Sequence, residues 1–167
     1  MARNINITGG EALAKALKEL PTKIERNIMR SAMRKGARVI ANEAKANVSV
    51  QDGDLRHSTR VTTRSQKGEV TATVVAGNKR AFYANWVEFG TVGHMINAKP
   101  GKLLKFTTRD GKVIETPRVF HPGARAKPFM RPALDNKADE AVKAVANQVR
   151  AKLNERGINT PDGGGDD

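Results

Sequence analysis

The chain has 167 residues, with 30 Lys and Arg against 17 Asp and Glu and no cysteine. That length suits one domain with tails and is enough to bury a core. The cysteine count excludes disulfides, thiolate metal sites and cysteine nucleophiles. The first residues lack the apolar run of a signal peptide, and no stretch approaches the roughly 18 apolar residues of a membrane span. The expectation is a protein made in a reducing cytoplasm that is soluble or joins a soluble assembly. The charge is uneven: residues 1–128 hold 24 basic and 10 acidic side chains, residues 129–167 hold 6 and 7. A positive field of this kind suits nucleic acid, acidic protein surfaces or acidic membranes, and does not choose among them.

In chain order, Ile5 and Ile7 alternate with polar residues and predict a short strand, broken at Thr8-Gly9-Gly10. Leu13, Leu17 and Leu20 share one face of a predicted helix over 11–20. Pro21 then separates it from a long helix over 22–48. Ile24, Ile28, Ala32, Gly36 (or Val39), Ile40 and Ala44 recur there at spacings of three and four, an apolar stripe about 40 Å long. Ala32, Gly36 and Ala37 would let another element come close. Arg26, Arg30, Arg34 and Arg38 form a basic ridge on the opposite face. Val50-Gln51-Asp52-Gly53-Asp54 reads as a turn. Two β-rich runs follow, over 56–64 and 69–76, joined by Gln66-Lys67-Gly68 as a hairpin loop. Phe82, Trp86 and Phe89 sit at helical spacing in a short helix over 80–89 that Gly90 would stop.

Residues 91–127 read as a long, irregular, basic stretch. Within it Arg109-Asp110-Gly111 is flanked by Leu103-Leu104-Lys105-Phe106 and Lys112-Val113-Ile114, which predicts a hairpin inside an arm. A last helix spans 132–156, with Leu134, Ala138, Ala141, Val142, Val145, Val149 and Leu153 on its apolar face. Asp135, Asp139 and Glu140 near its start, and Arg150, Lys152 and Arg156 near its end, suit the helix dipole. Gly157 is its natural stop, and residues 158–167 form a Gly- and Asp-rich tail expected to be flexible.

Catalytic signatures are missing. There is no phosphate-binding glycine loop followed by Lys and Ser or Thr, no nucleophile elbow and no His-Glu-x-x-His. His57, His94 and His121, with Glu88, fit no ligand spacing and read as surface or turn residues. Asp52 and Asp54 read as turn residues in preference to an acid–base pair. We therefore expect no catalytic, cofactor-binding or metal residues. Phe82, Trp86 and Phe89 read as core before they read as a stacking platform. The four arginines are either a solvated face or a contact for phosphates or an acidic partner. Like charges four apart repel, so something should offset them.

Three stretches carry a resemblance. The first is Ala44-Lys45-Ala46-Asn47 with Gly53-Asp54-Leu55-Arg56-His57-Ser58. The second is Tyr83-Ala84-Asn85-Trp86-Val87-Glu88-Phe89-Gly90-Thr91. The third is His121-Pro122-Gly123-Ala124-Arg125-Ala126-Lys127-Pro128-Phe129-Met130-Arg131-Pro132-Ala133-Leu134. In this order they resemble the small neck proteins of long-tailed bacteriophages, the tail-completion or head–tail joining components. The resemblance covers about residues 5–156. It departs from the family at Val50-Gln51-Asp52, where members commonly carry Pro and Thr.

Locally, Gly90 would take positive φ, Thr91 would bond nearby backbone, and Pro122-Gly123 would turn the chain. Phe129, bracketed by Pro128 and Pro132, would pack inside its own subunit or anchor in a neighbour. The fold expected is α+β: a long N-terminal helix and a C-terminal helix packed on an antiparallel sheet, with a long hairpin-bearing loop. One domain over 1–157 would include an extended basic arm at 91–128. The resemblance implies a structural virion protein at the head–tail junction. It would form a ring of identical subunits beside head-closure, tail-terminator or tail-tube proteins, with genomic DNA passing nearby but not bound specifically, and no membrane. The residues expected at the assembly interface are Arg26, Arg30, Arg34, Arg38, Glu88, Phe89, Gly90, Thr91, Leu103, Phe106, His121, Pro122, Gly123 and Phe129. The competing class is a basic nucleic-acid-binding protein.

Overall fold

The computed structural model describes residues 9–49 and 53–158. The strand expected at Ile5 and Ile7, the turn residues Val50, Gln51 and Asp52, and all of the predicted tail except Ile158 lie outside the described residues. The chain divides into two compact units, Met1–Phe82 with Phe129–Asp167, and Tyr83–Pro128.

The first unit is built on two long helices. Helix α1 spans Gly10–Lys18 and buries Leu13 and Leu17. Helix α2 spans Thr22–Asn47, starts after Pro21 and stops where Val48 turns extended. Its buried line is Ile28, Ala32, Gly36, Ala37, Ala41 and Ala44, close to the predicted stripe. Helix α5 spans Met130–Asn154 and buries Ala133, Ala141, Ala146, Val149 and Leu153. It begins two residues before the predicted start, because Pro132 is tolerated within a first turn. Helices α2 and α5 run antiparallel: the Asn47 Nδ2 donates to the Phe129 carbonyl (3.3 Å), and the Gln148 Nε2 donates to the Ser31 Oγ (3.1 Å). Small residues set their separation. A Cβ on Gly36 would lie 2.5 Å from Val145 Cγ2 and 2.7 Å from the Ala141 carbonyl oxygen. Leu13 and Leu17 pack with Ile28, Ala32, Ala146, Val149 and Leu153 as one apolar core.

Gly53–Ser58, expected to be turn and strand, forms a short helix, α3. Leu55 is fully buried, and the Ser58 Oγ donates to the Leu55 carbonyl (2.7 Å) while accepting from the Gly77 N–H (2.9 Å). Strand β1 (Arg60–Gln66) therefore starts four residues after the predicted run and pairs antiparallel with β2 (Glu69–Val75). Lys67 and Gly68, with φ of 51° and 83°, make the tight primed turn that suits twisted strands. The Val61–Val74, Thr63–Ala72 and Ser65–Val70 pairs point their half-buried side toward α2.

The second unit is more regular than the irregular stretch expected over residues 91–127. Helix α4 is a single short element, Ala84–Phe89. After it, β3 (His94–Asn97) pairs antiparallel with β6 (Arg118–His121), and β4 (Leu104–Thr107) pairs with β5 (Val113–Thr116). The predicted Asp110-Gly111 hairpin is β4–β5. The α+β class holds, but the described strands form three separate two-stranded ladders and not one sheet.

Candidate functional site

The second and third of the three motifs meet in space. Gly90 ends α4 with φ 72° and ψ −174°, a conformation nearly confined to glycine. A Cβ there would lie 2.6 Å from the Ala124 carbonyl oxygen and 2.8 Å from the Ala126 nitrogen. Thr91 and Ala124 then exchange both backbone hydrogen bonds (2.9 and 3.1 Å), and the Thr91 Oγ1 also accepts from the Ala124 N–H (2.9 Å). Thr91 thus bonds across 33 residues, not locally as expected. Gly123, at φ 92°, lets the chain pass against the Thr91 carbonyl with no room for a side chain. The Lys127 N–H donates to the Val87 carbonyl (2.8 Å), closing the base of the unit. Phe-Gly-Thr and His-Pro-Gly-Ala are therefore two halves of one joint.

Side-chain placement sorts the predicted interface residues. Phe129 is 1% exposed, so it packs within its own chain, as the first of the two readings had it, and is not available as an anchor for a neighbour. Glu88 is also buried. Phe82, Trp86 and Phe89, expected to be core, are exposed: the helix is only six residues long and starts after Phe82, and Phe89 stands 67% in water. Leu103 and Phe106 are exposed on the β4–β5 hairpin, beside a Lys105–Glu115 cross-strand ion pair of 2.9 Å. Sequence reasoning missed Val92, Met95 and Phe120, which are likewise exposed. The pairing of Met95 with Phe120 across β3–β6 could have been suspected only from the strand pair itself.

The arginine ridge is real as geometry. Arg26, Arg30, Arg34 and Arg38 all lie on the exposed side of α2. Arg30, Arg34, Lys35 and Arg38 line an open polar cleft of about 430 Å³ with Asn27, Ser31 and Gln148. The Arg34 Nη2 donates to the Thr63 Oγ1 (3.0 Å), which turns the cleft's edge toward β1. None of these cations forms an ion pair among the described residues. Three like-charge pairs at i,i+4 cost on the order of 1 kcal/mol together, a small penalty that an anionic surface would reverse.

His94 and His121 face each other across β3–β6 with ring centroids 5.3 Å apart. The His94 Nδ1 donates to the Val92 carbonyl (3.0 Å) and the His121 Nδ1 accepts from the Gly123 N–H (3.0 Å), so both Nδ1 atoms are engaged with backbone. His57 Nδ1 is tied to the Gly53 carbonyl at 2.6 Å. Among the described residues no group of three or more His, Cys, Asp or Glu could hold a metal ion, so the structure does not gather His57, His94, His121 and Glu88. Asp54 lies in the first turn of α3, and Asp52 lies outside the described residues. No described helix is long and apolar enough to cross a membrane.

No match was found among curated proteins or among solved structures. Residues 11–90, from α1 to the glycine that ends α4, match the family HK97-gp10_like, described as "Bacteriophage HK97-gp10, putative tail-component", and this fits the phage neck and tail-completion family that the three motifs resemble.

Proposed function

We propose that this chain is a structural part of the phage neck, joining the head-closure ring to the tail tube during assembly. On this reading it works as a ring of identical copies in the virion, binds no cofactor and catalyses no reaction. The tail-component match supports a structural virion role. The observation that carries the finer reading is that several large apolar side chains of Tyr83–Pro128 stand exposed while α2 carries a cationic cleft without ion pairs among the described residues. Two surfaces of such different chemistry suit contacts with more than one protein surface.

The ridge faces acidic neighbouring proteins on this account. A pore lined with guanidinium groups would hold phosphates and impede DNA passage. Particles produced without this protein should accumulate as separate heads and tails under the electron microscope; intact virions in normal yield would refute the neck role.

A second reading, binding of nucleic acid, draws on the same cleft, because Arg30, Arg34, Lys35 and Arg38 all line it. A gel-shift titration against random duplex DNA separates the two. Tight binding that falls steeply with salt favours the second reading, and weak binding favours the first.

A further inference from the structure

A second feature of the first unit lies apart from the ridge. Between α1, α2 and α5, with Ala72 of β2 at one wall, runs an open groove of about 500 Å³ lined almost wholly by apolar side chains. Leu13, Met33, Ile40, Val142 and Val145 line it, and Leu134 stands at its edge, 52% exposed. An apolar concavity left in water at this size is costly, and methionine lets it adapt to what enters. Asp139 follows the lining residue Ala138 on α5, on the exposed side, and puts a carboxylate on that lip.

The same chain carries a surface of matching chemistry. On Tyr83–Pro128, Phe89, Val92, Met95 and Phe120 are all about half or more exposed. Met95 and Phe120 are cross-strand partners, and the Phe120 ring covers Gly93, 2.8 Å from where a Cβ would sit. The two phenylalanine rings alone leave about 250 Å² of apolar surface in water. This unit has 8 Lys and Arg against 3 Asp and Glu, with Arg118, Arg125 and Lys127 exposed in and after β6.

We propose that the apolar groove between α1, α2 and α5 of one copy receives the Phe89, Val92, Met95 and Phe120 surface of a second copy of this chain. Groove and surface belong to different units of the chain, so each copy offers both, and the contact is heterologous: it repeats until a ring closes. The Asp139 carboxylate on the lip meets the basic flank at Arg118, Arg125 and Lys127, which fixes the direction of the contact. Apolar anchors at the centre with charged pairs at the rim are the usual anatomy of such an interface. The inference rests on the ring reading and adds which surface meets which.

The chain has no cysteine, so single thiols report cleanly. Under mild oxidation, a mixture of the Leu134→Cys and Phe89→Cys variants should give a mixed disulfide well in excess of either homodimer. The double variant should give a ladder of linked copies. An oligomer whose thiols form no mixed disulfide, or a double variant that closes within one chain as a monomer, would overturn the inference and leave the ring reading standing. As a second measurement, Leu134→Glu should abolish the oligomer in light scattering while the thermal melt stays within a few degrees, since Leu134 is half in water already. An oligomer unaffected by Leu134→Glu would also overturn it. A wild-type chain that stays monomeric at its solubility limit would overturn the inference and the ring reading together.

Discussion

Adding one methyl group at Gly36 tests how the two long helices are held. In an isolated helix, Gly→Ala is favourable by about 1 kcal/mol. Here the new methyl would meet Val145 Cγ2 at 2.5 Å and the Ala141 carbonyl oxygen at 2.7 Å, about 1 Å inside comfortable contact. Valine in a helix has essentially one rotamer, and a helix carbonyl cannot swing away, so the helices themselves must part. Overpacking of this kind costs about 1–3 kcal/mol, and a backbone contact belongs at the upper end. The net expectation for Gly36→Ala is a loss of about 1–2 kcal/mol, a fall in Tm of about 2–8 °C for a chain of this size. Far-UV circular dichroism melts would read it. In a Val145→Ala background the cost should shrink but not vanish, because the Ala141 contact remains. A Gly36→Ala variant as stable as wild type, or more stable, would show that the small-residue seam does not set the helix separation.

Other substitutions probe other parts. Phe129→Ala should cost about 3–5 kcal/mol in denaturant unfolding, because a fully buried ring leaves a cavity; a loss under about 1 kcal/mol would mean Phe129 is not a core residue. Gly90→Ala should open the Thr91–Ala124 bridge, read as faster amide exchange at both residues while α2 and α5 stay protected; unchanged exchange would contradict the joint described above. Replacing Arg30 and Arg34 together by Glu should leave the melt within about 1 kcal/mol of wild type, since repulsion along the ridge is relieved, yet lower the yield of joined particles. Normal yield would remove the ridge from the assembly surfaces.

Much of the first unit is legible in the sequence because periodicity accumulates with length. Seven turns of α2 and nearly seven of α5 repeat their apolar spacing often enough to fix type, face and ends within two residues. The Lys67-Gly68 and Asp110-Gly111 turns were legible for a local reason: tight hairpins need positive φ, and glycine supplies it. What stayed hidden was non-local. Strands β3 and β6 pair across an intervening hairpin, and nothing in His94–Asn97 announces Arg118–His121 as its partner. The same distance hid the bonding of Thr91 to Ala124. Gly53–Ser58 was read partly as strand because its role as a corner depends on Ser58 reaching Gly77. Phe82, Trp86 and Phe89 show the limit of spacing alone, since helical spacing says which residues share a face and not whether that face is covered. Of the candidate site, the exposed ridge could be read from the i,i+4 arginines, while the exposed surface around Phe120 needed the fold.

The central claim, a joining role at the head–tail junction, is tested most directly by cryo-electron microscopy of the neck in intact virions. The account predicts copies of this chain in a ring between the head-closure proteins and the tail tube, with Arg26, Arg30, Arg34 and Arg38 turned toward acidic protein surfaces. A neck built without this chain would contradict the role, and those guanidinium groups lining the DNA channel would contradict the assignment of the ridge.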